Sequence, residues 1–278
     1  MTEITAKALH PAADIRIYSF NVLAEYESWG GGPVGPRSGI VAQSILSHSP
    51  DAAGLMEMSD QWYVYLPPLI GEKYAFVREK SDDGQAVQST LIYDKKKYVV
   101  LGSGYQPYRE ASQRNTGRAM TWALLKNVHT GRRFAMIATH WDWIKEADPA
   151  QTTHTQWSEM EEEAAFVNLL KEKYHTEVIC VGDFNSGETH RPYHEFMRLT
   201  GMTDAKYADG VEVDGWYCAA HRLGEMPKPR GIAIDHIFFT KGMSAKAFSA
   251  ITYGGVLDVS DHNPIYADLA FTGQDPAT

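Results

Sequence analysis

The chain has 278 residues, 44% apolar and 22% charged. That is the balance of a soluble globular protein, with no apolar run near the ~20 residues of a membrane-spanning helix. Its formal net charge is −9, and no run clusters the Lys and Arg that a long polyanion track requires, which argues against sequence-blind duplex binding. A local basic patch can exist on an acidic protein, so a nuclease stays open. Two cysteines are too few for a disulfide framework and have no zinc-site spacing. The N-terminus "MTEITAKALHPAAD" lacks a basic-then-apolar leader pattern, which sets a cytoplasmic expectation.

Residues 1–14 read as a tail, 15–271 as one domain and 272–278 as a second tail. "IRIYSF" (15–20) reads as a strand ending at Asn21. Ile40 to Leu46 has helical apolar spacing, and "AAGLM" (52–56) is a short buried strand ending at Glu57. Tyr74 to Val77 and Ser89 to Tyr93 read as paired strands joined through "SDDGQ", a turn composition, and "DKKKY" (94–98) as a hairpin turn. "MTWALLKN", "VHTGRR" and "FAMIATH" form a long hairpin that ends at His140. Gln156 to Lys173 is the clearest helix. Trp157, Met160, Ala164 and Val167 fall on one face, and Glu159, Glu161, Glu162 and Glu163 suit the positive end of its dipole. "VICVGDFN" is a buried strand ending at Asp183, followed by a helix from about Arg191 with Pro192 near its start and Gly201 past its end. "IAIDHIFFT" and "PIYADLAF" are the last strong strands. Strands outnumber helices, and hairpins mix with strand–helix–strand units. The pattern predicts an α/β four-layer sandwich, two packed mixed sheets flanked by helices.

The chemistry-bearing residues gather at strand ends. Asn21 follows "IYSF", Glu57 follows "AAGLM", His140 follows "FAMIAT", and Asp183 and Asn185 follow "VICVG". Asp235 lies in "IAIDHIFF", and Asp261 and His262 stand before "NPIYADL". Any one of these alone reads as a turn or cap residue whose side chain bonds its own backbone. A whole set of acids, amides and imidazoles at strand ends reads as a site. The carboxylates and amides are hard oxygen ligands, matched to Mg²⁺ or Mn²⁺ rather than zinc.

The ordered motifs "FN", "LMEM", "ATH", "GDFN", "IDHIFF" and "SDHNP" resemble the endonuclease/exonuclease/phosphatase (DNase-I-like) superfamily, as a bacterial-type member, from about Ile15 to Phe271. The resemblance implies the four-layer sandwich and a metal-dependent phosphoesterase acting on a phosphate mono- or diester. It implies Glu57 as the main metal ligand, helped by Asn21 and Asp261. Asp183 would orient or deprotonate the attacking water, and Asn185 would hold that water or the phosphate. His262 would bond a phosphate oxygen with Asp235 fixing its tautomer, and His140 would be a second imidazole on the phosphate.

The loops set the substrate. Trp141 and Trp143 beside His140, and Trp216 in the long loop before Asp235, stack on a base or sugar, or else belong to the core. Arg118 reaches a substrate phosphate or makes a surface ion pair. "GGG" (30–32) reads as a flexible loop, and His236 as a strand residue facing away from Asp235. The expected partner is a small phosphoester such as a nucleotide or sugar phosphate, or a single-stranded nucleic acid. The alternatives are a DNA or RNA endo- or exonuclease and, from another class, a non-catalytic binding module on the same fold.

Overall fold

The computed structural model describes residues 7–25, 31–114, 117–143, 149–215, 220–227 and 233–273. Its first half runs β1 (Ile15–Asn21), α1 (Val34–His48), β2 (Ala52–Met56), α2 (Asp60–Tyr65), α3 (Pro67–Ile70), β3 (Tyr74–Phe76), β4 (Ser89–Asp94), β5 (Tyr98–Pro107), α4 (Arg109–Arg114), β6 (Ala119–Asn127) and β7 (Arg133–His140). The second half runs α5 (Pro149–Tyr174), β8 (Glu177–Asp183), α6 (Arg191–Thr200), β9 (Thr203–Asp204), β10 (Glu212–Gly215), β11 (Asp235–Phe239), β12 (Met243–Ala250) and β13 (Ile265–Phe271). One sheet has the order β10-β12-β13-β1-β2-β4-β3, the other β5-β6-β7-β8-β11-β9. Both are mixed: β1–β2 and β7–β8 are parallel, while β1–β13 and β8–β11 are antiparallel. This is the predicted four-layer α/β sandwich.

The central strands are apolar on both faces because both faces are covered. Ile15, Ile17, Leu91, Met136, Val181, Ile237 and Leu269 pack between the sheets. Tyr18, Phe20, Ile45, Leu55, Trp62 and Ile92 form the layer under α1 and α2, and Leu124, Met160, Val167, Val178, Phe196 and Phe238 the layer under α5 and α6. Gly54 sets the spacing between the sheets. A Cβ there would lie 2.3 Å from Val181 Cγ2 and 3.3 Å from Ala138 Cβ.

Several boundaries differ from the sequence reading. α1 begins at Val34, because Arg37 is drawn in to donate to the carbonyls of Val22, Ala24, Gly32 and Val259. α5 begins at Pro149, so Glu159 and Glu163 lie in its interior and not in a first turn. The "DKKKY" segment is not a hairpin: it carries the chain from β4 in one sheet to β5 in the other. Asp51 anchors this crossing, accepting from Lys97 Nζ at 3.0 Å and Tyr98 Oη at 3.2 Å. The described part of the N-terminal tail is bonded to the domain, since Arg16 donates to the carbonyls of Lys7 and Ala8 while paired with Asp268 at 2.6 Å. The first glycine of "GGG" lies outside the described residues.

Because Gly54 has no room for a side chain, Gly54→Ala is expected to lower stability by roughly 1–3 kcal/mol, the usual cost of overpacking a core. Urea unfolding of the two proteins checks it, and equal midpoints would contradict the close sheet approach.

Candidate active site

Strand register assembles the site. His140 stands opposite Asp183 across the parallel β7–β8 pair, and Asp235 stands opposite Asp183 across the antiparallel β8–β11 pair. These three side chains therefore form a row along one edge of the six-stranded sheet. Asn21, at the end of β1, is paired with Met56 of β2, so Glu57 emerges beside it from the facing sheet. Gly182 precedes Asp183 for lack of space: a Cβ there would lie 2.0 Å from the Thr139 carbonyl oxygen.

The Asn21 carboxamide joins the two sheets. Its Nδ2 donates to Glu57 Oε1 at 3.0 Å and to Asp183 Oδ2 at 3.1 Å. Its Oδ1 accepts from the Leu23 N–H at 3.1 Å, which fixes the orientation of the amide. The Ala24 N–H donates to Glu57 Oε2 at 3.1 Å. Leu23, Glu57 and Asn185 hold φ of 56°, 60° and 46°. Left-handed backbone costs a non-glycine residue on the order of 1 kcal/mol or more, least for Asn, and such positions cluster at functional sites.

Asp183 is surrounded by donors. Its Oδ2 lies 3.2 Å from His140 Nε2 and 3.7 Å from His262 Nε2, and its Oδ1 accepts from the Asn185 N–H at 2.9 Å. Burial works to raise its pKa, but the charges of His140 and His262 and these bonds overcome it and hold Asp183 well below the ordinary carboxylate range. His262 Nδ1 donates to Asp235 Oδ2 at 2.7 Å. Burial opposes the charge on that ring, yet Asp235 and Asp183 on its two sides push its pKa well above the ordinary value, so the imidazolium is favoured. Burial dominates at Asp235 and raises its pKa. Burial also raises Asp261, aided by the Glu57 charge, and Asp261 Oδ1 is buried without a hydrogen-bond partner among the described residues. At Glu57, burial is outweighed by His140, the Asn21 and Ala24 bonds and Arg118, and the pKa falls.

The structure thus brings Asn21, Glu57, His140, Asp183, Asn185, Asp235, Asp261 and His262 to one place. Asn185 donates from Nδ2 to the Trp141 carbonyl at 2.9 Å. Arg118 lines a cavity that also touches Glu57. Trp141 must be corrected as a substrate contact: its indole is 0% exposed, packs against Phe184 and Phe196, and donates to Glu163 Oε2 at 2.7 Å. Trp143 is 40% exposed, and Trp216 lies outside the described residues. His236 does face away from Asp235, but it is more than strand packing. Its ring bonds Asp204 at 2.8 Å and the Ser186 carbonyl at 2.9 Å, and so ties down the loop after Asn185.

Other supports were not evident in the sequence. α5 turns Gln156, Glu159 and Glu163 inward, each 0% exposed. Gln156 Nε2 donates to the carbonyls of Asp142 at 2.7 Å and Asn185 at 2.8 Å, and Glu159 accepts from the Asp142 N–H at 2.6 Å. Glu163 accepts from Tyr108 at 2.6 Å, whose hydroxyl also bonds Thr139. The i, i+3 and i+7 spacing of these three, which places them on one helix face, was the available signal. Ser260 donates to the Asn21 carbonyl at 2.7 Å and accepts from the His262 N–H at 3.1 Å, linking the "SDH" turn to β1. The His221 backbone N–H donates to the Asp261 carbonyl at 2.7 Å, and the His262 and Asp261 charges act on its imidazole, which stands beside the "SDH" turn.

Burial pushes the Glu163 carboxyl up to about 7 against the bonds from Tyr108 and Trp141. An acid with a raised folded-state pKa stabilises the fold when protonated, and that advantage is lost as pH rises from its unfolded value through its folded value. Stability is therefore expected to decline between pH 4.5 and about 7 by up to the order of 3 kcal/mol from this group. Glu163→Gln is expected to flatten that part of the profile. Urea unfolding at a series of pH values checks it, and an unchanged slope would contradict the assignment.

A sequence profile described as "Endonuclease/Exonuclease/phosphatase family" matches residues 18–262. Among solved structures, an endonuclease/exonuclease/phosphatase from Bacteroides vulgatus is 25% identical, with a TM-score of 0.77 over 92% of this chain and 98% of that one. A mannosyl-6-phosphatase from Bacteroides thetaiotaomicron is 19% identical, with a TM-score of 0.77 over 93% and 100% of the two chains. D. rerio TDP2, solved with a single-strand DNA product, is 18% identical, with a TM-score of 0.68 over 92% and 98%. No curated protein matches the sequence. Enzymes of the matched family hydrolyse phosphoester bonds and generally use divalent metals. A buried Asp183–Asp235–His262 group here could hold an ion, and no helix among the described residues is long and apolar enough to cross a membrane. On the motifs, the sandwich and the profile match together, the chain belongs to the endonuclease/exonuclease/phosphatase family.

Proposed function

We propose that this chain is a divalent-metal-dependent phosphoesterase that hydrolyses a phosphate mono- or diester by in-line attack of water, with small or single-stranded substrates preferred. One observation carries the reading. Two carboxylates from different sheets, Glu57 and Asp183, are held by a single carboxamide beside an Asp235-bound imidazolium, all at one rigid edge. A binding module of the same fold has no need for that arrangement.

The donor set fits Mg²⁺ or Mn²⁺, with Glu57 and Asp261 as the residues that would hold the ion. The support is the buried Asp261 Oδ1, which has no hydrogen-bond partner among the described residues, and the mutual repulsion of these two carboxylates. Asn21 positions Glu57 through its nitrogen, and its oxygen, which accepts from the Leu23 N–H, keeps a second lone pair with which it would help hold the ion. The Asp183–Asp235–His262 group is a poorer fit, because His262 Nδ1 already donates to Asp235 at 2.7 Å. When bound, the ion would neutralise phosphate charge and stabilise the leaving oxygen.

The chain's own residues supply the rest. Asp183, held charged, accepts a hydrogen bond from the attacking water and aligns it. The same carboxylate takes up the proton that the water releases as its oxygen bonds to phosphorus. The His262 imidazolium presents Nε2–H to a phosphate oxygen, and Asp235 fixes the ring and its charge. His140 offers Nε2 from the other side of Asp183. Asn185, locked by Trp141, Gln156 and its own left-handed backbone, holds the water or the phosphate.

Glu57→Gln keeps the side-chain volume and removes the charge. Turnover is expected to fall at least ~100-fold with the fold intact. Calorimetry with Mg²⁺ should show a matching loss of affinity, and near-normal activity at saturating Mg²⁺ would overturn the role.

His262→Ala is expected to lower kcat by roughly 10²–10³, the scale of a lost oxyanion donor, and Asp235→Asn to lower it in the same direction by less. His236→Ala acts only by loosening the Ser186 loop and should cost less than His262→Ala. Steady-state kinetics on folded variants tests the order, and equal losses at His236 and His262 would mean that the wrong imidazole has been assigned.

A further inference from the structure

A cavity of about 540 Å³ opens off the reaction centre, with Glu57 and Arg118 in its wall. That volume is typical of a small-molecule pocket. Its far side is built from the turn after β3, the "SDDGQ" stretch, and from the end of β5. The reaction scheme above uses only its Glu57 end.

The lining is rich in hydrogen-bonding groups and poor in available positive charge. Besides Glu57 it carries Glu25, Asp60, Asp82 and Asp83, and Arg118 is the one cation among the described lining residues. Two more cations stand nearby, and both are engaged: Lys80 pairs with Asp60 and Arg78 with Asp82. Among the described residues, Glu25 accepts from the Ser59 hydroxyl, and Asp83 from the Ser81 hydroxyl and the Gln85 backbone. Among the described residues, five carboxylates thus face three cations, and the Arg118 charge already bears on Glu57, at the phosphoryl end. A leaving group with a second phosphate would meet like charge at the rim and be repelled.

A neutral, hydroxyl-rich group suits the same wall. Carboxylate oxygens accept from hydroxyls in strong charge-assisted bonds. Gln85 and Gln88 offer both donors and acceptors, and the Tyr105 ring offers an apolar face for the C–H side of a saturated ring.

We propose that this cavity receives the leaving alcohol and selects a neutral polyol that carries a single phosphate, a sugar monophosphate in chemical class, over polyanionic chains. The inference rests on the phosphoesterase reading and specifies its substrate side. Glu25, Gln88 and Tyr105 would contact the polyol, and Asp82 and Asp83 would exclude further phosphates by charge.

The test is a kinetic panel at fixed Mg²⁺ on glucose 6-phosphate and mannose 6-phosphate, 4-nitrophenyl phosphate, and a single-stranded thymidine hexanucleotide, across a salt series. The best hexose phosphate is expected to exceed the oligonucleotide in kcat/KM at every salt concentration. The double variant Asp82→Asn/Asp83→Asn is expected to narrow that gap about threefold or more. Glu25→Gln is expected to raise KM for the hexose phosphate about fivefold more than for the nitrophenyl ester, as lost hydroxyl pairing predicts. An oligonucleotide that wins, with an advantage that collapses as salt rises, would overturn the proposal while leaving a phosphoesterase in place. So would a Glu25→Gln effect that is equal on both small esters. Saturation-transfer NMR with free glucose and mannose reads the cavity without turnover. Transfer that weakens in Glu25→Gln would support polyol binding even if every ester were inert, in which case only the phosphoesterase reading would fall. No transfer to either sugar would overturn the proposal.

Discussion

The Asn21 carboxamide is the joint on which the site depends. A buried carboxylate, Asp183, and a half-buried one, Glu57, approach each other from different sheets, and each gains from a donor that keeps it charged. One side-chain amide, held by the Leu23 N–H, serves both. That bridge is possible only where the sheets lie close together, and Gly54 and the small Ala138 keep them close beneath it. Arg37 and Ser260 then fasten the loops around the joint, one through four backbone carbonyls and the other through the Asn21 carbonyl.

The electrostatics of the site follow from that crowding. Glu57, Asp183, Asp235 and Asp261 meet two imidazoles, with Asp183, Asp235 and both rings buried and Glu57 and Asp261 half-buried at the mouth. The imidazoles and amide donors suffice for Asp183 and Glu57, whose pKa values fall, and do not suffice for Asp261 and Asp235, whose values rise. The asymmetry separates a charged Asp183 on β8 from an under-compensated carboxyl at Asp261, on the side of the site where a cation would complete the balance.

The floor and the rim have different makers. The floor is strand register backed by α5, whose Gln156 and Glu159 grip the backbone of Asp142 and Asn185 from behind while Glu163 holds the Trp141 indole. Such buried, multiply bonded polar groups hold a geometry within narrow limits. The rim belongs to connections, the turn at 81–85 and the end of β5, where charge can change without disturbing the floor. A family that keeps one reaction and varies its substrates is expected to vary there.

Period and position in the sequence settled much of this. Apolar runs ending in Asn21, Glu57, His140, Asp183 and Asp235 announced buried strands with chemistry at their ends, because a strand end is where a side chain can be both rigid and reachable. Motif order then pointed to the family, and the mixed hairpins and crossovers to a layered α/β sandwich. Local pattern could not decide which face a residue serves or which sheet a strand joins. Trp141 adjoins His140 in sequence but alternation along the chain turns its indole into the α5 layer, where Glu163 takes its N–H. Glu159 and Glu163 read as helix-end charges because nothing local shows that α5 began at Pro149. "DKKKY" has hairpin composition, yet Asp51, over 40 residues earlier, directs it across to the second sheet. Side-chain burial, amide orientation and strand partnership depend on contacts distant in sequence, so only the tertiary structure decided them.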